Sequence, residues 1–243
     1  MNKPIKKPYY SLKRKYETIR RKSFEAIGRD NYSRPSLNNI DQKLDKYLNY
    51  QNGFFIEVGA NDGFSQSNTY YLEKFRSWKG ILIEGIPELY QKCVRERPKS
   101  KVFNCALVSG DFQQSYVTMR YSNLMSLVKG AFENDEQEMN HIQKGIQIQK
   151  TEDITSYEIK VKTKTLTSIL DECNVAKIDF FSLDVEGFEL NVLKGLDFNK
   201  YRPKYMLIEA RFREEIEEYI SDFYSQVDQF SHHDFLYKSR VSI

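Results

Sequence analysis

The stretch FFIEVGANDG, residues 54–63, joins an apolar run to two glycines four positions apart, with a carboxylate, Glu57, where the run ends. A short apolar run bounded by glycines reads as a strand covered on both faces. The segment SNTYYLEKF (67–75) then has helical spacing, and GILIEG (80–85) is a second strand ending on a second acid, Glu84. The same texture continues: PELYQKCVRE (87–96) is a helix opened by Pro87, and KVFNCALV (101–108) is a strand. Strand and helix alternating in this way predict βαβ units and a parallel sheet.

The alternation resumes downstream. YEIKVKTKTL (157–166) reads as an edge-like strand, LTSILDECN (166–174) as a helix and IDFFSL (178–183) as a strand. GFELNVLKGL (187–196) is a helix, KYMLIEA (204–210) a strand and FREEIEEYISDFY (212–224) an amphipathic helix. Two short runs around SHHD (231–234) form a terminal antiparallel pair. The parse is five core strands with intervening helices, a terminal hairpin and one polar insertion or lid near residues 130–155.

Two segments flank this pattern. Residues 1–51 hold thirteen Lys and Arg against five acids, whereas the remainder is slightly acidic, so the segment is read as a basic helical arm ahead of an α/β domain at 52–243. Leu12, Tyr16, Ile19, Phe24 and Ile27 fall at approximately helical spacing, and IDQKLDKYL (40–48) repeats the pattern. A basic amphipathic helix can lie on an anionic membrane or pair with a second chain, but packing on its own domain is the commoner outcome. The three cysteines are odd in number and scattered without a CxxC pair, which suggests neither a disulfide framework nor a zinc site and fits a reducing, cytoplasmic setting. No run approaches the length of a membrane helix, and no basic patch interleaved with aromatics beyond the arm points to nucleic acid.

In an open α/β sheet, ligands bind beyond the carboxyl ends of the strands. Those ends carry Glu57, Glu84, Asn104, Asp184 and Glu209, four carboxylates among five positions. A dinucleotide fingerprint reads G-x-G-x-x-G, whereas here the order is E-x-G-x-x-x-G. An acid in first place repels a pyrophosphate and suits an ammonium group, and Glu84 is placed to accept both hydroxyls of a ribose. The ligand so described, with ammonium and ribose but no phosphate, fits S-adenosylmethionine.

At this point the chain resembles a known family. FFIEVGANDGFSQSNTYYLE, GILIEGIPELY, FNCALVSGD, VKTKTLTSIL, PKYMLIEA and above all LDVEGFELNVLKG (183–195) are similar to successive blocks of the FkbM S-adenosylmethionine-dependent methyltransferases, over roughly residues 53–238. The resemblance implies a Rossmann-like class I methyltransferase fold, with a seven-stranded, mostly parallel sheet and a C-terminal antiparallel strand pair. It implies that Glu57, Gly59 and Gly63, with the intervening Ala60, Asn61 and Asp62, hold the methionine end of the cofactor. Glu84 would hold the ribose, Asn104 and Ala106 would line the adenine side, and Asp184 would close the pocket. Ser182 departs from the family pattern, where many members carry lysine, so no role of that lysine carries over.

The activity implied is O-methylation of a hydroxyl, typically on a sugar in a glycan or secondary metabolite. Asp184, Glu186 and Glu209 are the candidate catalytic groups, since a positioned base typically adds about 10²–10⁴-fold to such a transfer. A second route is Mg²⁺ held by Asp184 and Glu209. His141 in the insertion and His232 and His233 in the terminal turn are weighed as solvated, and Phe64, Tyr116 and Tyr121 as packing groups before sugar platforms. The alternatives are an NAD-dependent oxidoreductase, disfavoured by Glu57, and a non-catalytic nucleotide-binding module, which has no use for four acids at strand tips.

Overall fold

The computed structural model describes residues 7–122, 126–132, 134, 136–140, 143 and 157–240. The chain opens with α1 (Lys7–Ala26), a 3₁₀ turn (Leu37–Asn39), α2 (Ile40–Lys43) and α3 (Asp45–Leu48). There follow β1 (Phe54–Val58), α4 (Tyr70–Phe75), β2 (Lys79–Ile83), α5 (Pro87–Glu96), β3 (Lys101–Phe103) and β4 (Ala106–Leu107). Then come β5 (Tyr116–Tyr121), β6 (Leu127–Val128), β7 (Tyr157–Lys164), α6 (Leu166–Glu172) and β8 (Phe180–Leu183). The last elements are α7 (Glu189–Lys194), β9 (Tyr205–Glu209), α8 (Arg213–Ile220), β10 (Tyr224–Gln229) and β11 (Asp234–Ser239).

The main sheet has seven strands in the order β10-β11-β9-β8-β1-β2-β3. β1 pairs in parallel on both sides, Ile56 facing Ile81 of β2 and Phe181 of β8. β11 runs antiparallel to β9 and to β10, as the terminal pair predicts. Alternate residues of β1 feed opposite layers. Ile56 and Val58 join α6, α7 and α8 through Leu170, Leu193 and Ile216, while Phe55 joins Leu72 of α4, Cys93 of α5 and Trp78. Because both faces are covered, the strands read as continuous apolar runs without polar alternation.

Three sequence readings are corrected. KVFNCALV is two strands: the Asn104 side-chain amide donates to the Glu84 and Gly85 carbonyls at 2.9 Å each, replacing ladder bonds and ending β3. β4 then leaves for a separate four-stranded sheet, β4-β7-β5-β6. The edge-like strand, β7, also belongs to that small sheet, paired antiparallel with β5 across six positions. β5, from SYVTMRY, escapes the sequence reading because the small sheet buries few residues, chiefly Val117, Val128 and Val161. Finally, the helix after the glycines begins only at Tyr70, so residues 59–69 form a long irregular loop. Of the polar insertion, Ala131 and Phe132 lie against Gly187; His141 lies outside the described residues.

The second helical pattern of the basic segment is core. Ile40, Leu44 and Leu48 recur every fourth residue, are at most 3% exposed, and share one apolar cluster with Phe55, Leu82, Phe180 and Leu207 of the sheet. Leu44→Ala is expected to destabilise the whole domain by about 2–5 kcal/mol, the usual cost of a buried leucine truncated to alanine, read as a lowered urea midpoint of a single transition.

Candidate active site

The tips of β1, β2 and β8 open into one cavity, walled by Val58–Asn61, Glu84, Asp184 and Phe188 and roofed by Met119 and Val128 of the small sheet. Its geometry starts from Glu57. The residue is on the Phe55 face of β1, the α4–α5 side, and is 4% exposed. Its carboxylate accepts from the Asn68 amide at 2.9 Å, Ser67 Oγ at 2.9 Å and Thr69 Oγ1 at 2.6 Å. Behind it lies Arg97, whose side chain is fully buried. Arg97 Nη1 reaches Glu57 at 3.4 Å, the Gly63 carbonyl at 3.2 Å and Ser67 Oγ at 3.2 Å. Its Nε donates to Glu73 at 2.9 Å and its Nη2 to Thr69 at 2.9 Å. One guanidinium thus ties β1, the glycine loop and α4 to the end of α5.

The glycines serve this packing. A Cβ on Gly59, whose φ is +85°, would sit 1.9 Å from the Asp184 carbonyl oxygen. A Cβ on Gly63, φ +84°, would meet Arg97 Cγ at 2.9 Å and the Cys93 Cα at 3.1 Å. Neither position tolerates a side chain, and both need the left-handed conformation that glycine adopts without penalty.

Glu84 is buried at the tip of β2. Its two oxygens accept separately from the Asn61 amide at 2.7 Å and the Ile86 amide at 2.8 Å, and each oxygen retains a further lone pair. Burial raises its pKa from 4.5 to about 7, against the lowering effect of those two amide bonds. Glu189, at the start of α7, is in the same condition. It accepts from Gly187 N at 2.9 Å and Val185 N at 3.2 Å, its other oxygen is buried without a partner among the described residues, and burial raises its pKa from 4.5 to about 7. Cys105 also lines the cavity, but burial pushes its thiol up to about 12, so it stays protonated.

Beyond β8 and β9, oxygens of Asp184, Glu186 and Glu209 gather within 4.8 Å of one another. Arg211 answers them, its Nη2 bonding Glu186 and lying 3.4 Å from Glu209. Asp184 keeps solvent access, yet enclosure by protein, then the charges of Glu209 and Glu186, raise its pKa well above the ordinary aspartate value. The charge repulsion acts whatever the degree of enclosure and gives the same direction.

The residues singled out from sequence divide accordingly. Glu57, Gly59, Ala60, Asn61, Glu84, Ala106, Asp184 and Glu186 line the cavity. Asp62, Gly63, Asn104 and Glu209 stand outside its wall. Asp62 accepts from Phe64 N and Ser65 N and pairs with Arg14, and Asn104 braces the β2 tip. Ser182 Oγ accepts from the Asn68 side-chain amide at 3.0 Å. His232 and His233 are exposed on the hairpin and absent from the cavity wall. Sequence reading missed Arg97, Arg211, Glu189 and the roof. For Arg211 there is a signal, a cation two residues after a strand-tip acid.

A seven-stranded sheet with one antiparallel strand next to its edge, and a cavity at the tips of its parallel strands, is the architecture of class I S-adenosylmethionine-dependent methyltransferases. The chain belongs to the FkbM methyltransferase family, whose domain model, "Methyltransferase FkbM domain", matches residues 57–238. It is therefore a S-adenosylmethionine-dependent methyltransferase, which sets aside the nicotinamide reading. No curated protein matches the chain. Among solved structures it is similar to a TehB-like SAM-dependent methyltransferase from Corynebacterium glutamicum, at 10% identity and TM-score 0.42, covering 96% of this chain and 100% of that one. It is similar to a SAM-dependent methyltransferase from Aquifex aeolicus at 14% identity and TM-score 0.44, covering 87% and 95%. M. capricolum TrmK, solved with S-adenosyl-homocysteine, aligns at 9% identity and TM-score 0.37 over 81% of this chain and 66% of that one.

Two outcomes follow from this geometry. Arg97→Met leaves Glu57 and Glu73 as buried charges without their counter-ion, and should cost about 3–5 kcal/mol in urea denaturation. Glu84 and Glu189 are both raised from 4.5 to about 7, so between those values the folded protein holds more protons than the unfolded chain. Their contribution to stability therefore falls as pH rises from 4.5 towards 7. Glu189→Gln should make that decline shallower, as followed by denaturation midpoints across the interval.

Proposed function

We propose that this methyltransferase moves the methyl group of S-adenosylmethionine to a hydroxyl oxygen of a carbohydrate acceptor. The observation that carries the reading is Asp184, a carboxyl group lining the cavity with its oxygens within 4.8 Å of those of Glu186 and Glu209; on the donor side Glu84, aimed by two backbone amides, has lone pairs left for two vicinal hydroxyls of a ribose. Ala106 and its neighbours form the adenine side, and the loop at Gly59–Asn61 receives the methionine end. Glu57 lines the same wall but acts mainly through Ser67, Asn68 and Thr69, as a positioning residue for that loop. Asp62, Gly63 and Asn104 support the cavity from behind.

Transfer from sulfonium to oxygen is an in-line displacement, so alignment supplies much of the rate. The acceptor oxygen attacks the methyl carbon, the carbon–sulfur bond breaks, and the hydroxyl proton must leave. Asp184 is the group placed to take it. It lines the cavity, and its raised pKa brings its basicity towards neutrality, where a general base works best. Glu186 and Glu209 raise its basicity by charge repulsion, and Arg211 supplies their counter-charge. A carbohydrate is favoured over a more acidic acceptor because an alcohol hydroxyl requires such a base.

The test combines calorimetry and turnover. S-adenosylhomocysteine should bind the wild type, more tightly as pH is raised through about 7 and Glu84 ionises, and Glu84→Ala should lose binding. Asp184→Asn should retain binding yet lose roughly 10²-fold or more of turnover on a hydroxyl acceptor, without response to a chelator. Full turnover in Asp184→Asn, or loss on chelation with recovery on adding Mg²⁺, would replace Asp184 as the base.

A further inference from the structure

α1 meets the rest of the protein through its charged side. Arg21 is buried, pairs with Glu96 at 2.8 Å and Glu25 at 3.3 Å, and stacks 3.8 Å over the Phe64 ring. Glu25, also buried, accepts from Ser33 and Tyr70 at 2.8 Å each, and Arg14 pairs with Asp62 at 2.5 Å. At 3.6 residues per turn, positions 14, 21 and 25 share one face.

The opposite face is Leu12, Tyr16 and Ile19, which are 66%, 64% and 57% exposed, continued beyond the helix by Ile27 at 68%. A surface helix of a globular protein ordinarily turns its apolar stripe to the core, and here the orientation is reversed. Helical spacing places Lys13 and Arg20 along one margin of the stripe, and Lys15 and Lys22 along the other. The helix holds seven Lys and Arg against two Glu, one of which is the buried Glu25.

We propose that α1 is an interfacial helix that seats this methyltransferase on an anionic lipid surface. An outward apolar stripe edged by cations lies in the plane of the headgroups, with the stripe among the upper acyl carbons and the exposed Lys13 and Lys15 stems reaching up to phosphates, while Arg20 lies over the Tyr32 ring and Lys22 pairs with Glu96. Charge selects this occupant. A second copy, docking by the same face across a two-fold axis, would set one lysine margin against another, whereas anionic headgroups complement both. The helix rests on the surface and does not cross it: no helix among the described residues is long and apolar enough to span a membrane. The ion pairs of Arg14 and Arg21 fix the helix to the domain, so lipid contact would orient the catalytic domain relative to the bilayer.

The test is co-sedimentation of the full chain with vesicles of phosphatidylcholine, with and without phosphatidylglycerol. The expected result is binding to the mixed vesicles only, weakened by added salt and by roughly fivefold for each of Lys13→Gln and Lys15→Gln. The triple variant Leu12→Ser, Tyr16→Ser, Ile19→Ser should lose binding while keeping its urea midpoint and S-adenosylhomocysteine affinity. The proposal is overturned if the wild type ignores the mixed vesicles, or if the triple variant binds them equally well. It is equally overturned if the wild type self-associates through this face, the triple variant is monomeric and neither binds lipid.

Discussion

The Arg97 guanidinium is shut away from water and neutralised by Glu57 and Glu73 together. Removing such groups from water is costly, and the cost is offset only when every donor finds an acceptor and each charge a counter-charge. Here the acceptors come from four separate pieces of chain: β1, the glycine loop, the Ser67–Thr69 turn and α4. The loop that frames this end of the cavity has no regular secondary structure of its own across residues 60–69. Its shape is held by side chains that converge on one cation, and arginine suits the task because its planar fork presents five donors in fixed directions.

The rim of the cavity is organised by the opposite sign. Glu84 and Asp184 in its wall, and the buried Glu189 outside that wall, all have raised pKa values, the glutamates chiefly because they are buried and Asp184 with added repulsion from Glu209 and Glu186. A site that crowds carboxyl groups at the ends of β2, β8 and β9 is poorly matched to phosphate. It is well matched to a ligand bearing a sulfonium and an ammonium group, whose charges ease the same repulsion. Arg211 prevents the acidic cluster from being wholly uncompensated before such a ligand arrives.

Much of this was legible in the residues themselves. The strands of the main sheet are covered on both faces, so each appears as an unbroken apolar run ending in a polar tip, and those tips are where Glu57, Glu84 and Asp184 converge. The small sheet was less legible because it buries little more than Val117, Val128 and Val161, and a strand with one lightly covered face has no strong period. Arg97 was invisible for another reason: its partner Glu57 is forty residues away, and no local pattern links them. α1 shows a third kind of failure. Periodicity correctly gives a helix and an apolar stripe, but the direction in which the stripe faces is decided by tertiary ion pairs of Arg21 and Glu25.

Gly59 brings the glycine loop so close to the β8 tip that its missing Cβ would overlap the Asp184 carbonyl oxygen, and Asp184 N returns a hydrogen bond to Val58 O at 3.2 Å. The glycine loop and the segment that carries Asp184 are thereby in backbone contact, with no side chain between them to act as a cushion. The distance between the donor and acceptor subsites proposed above is accordingly set by main-chain geometry. On that proposal, side chains around the cavity set which acceptor enters, while the reach of the methyl group stays the same.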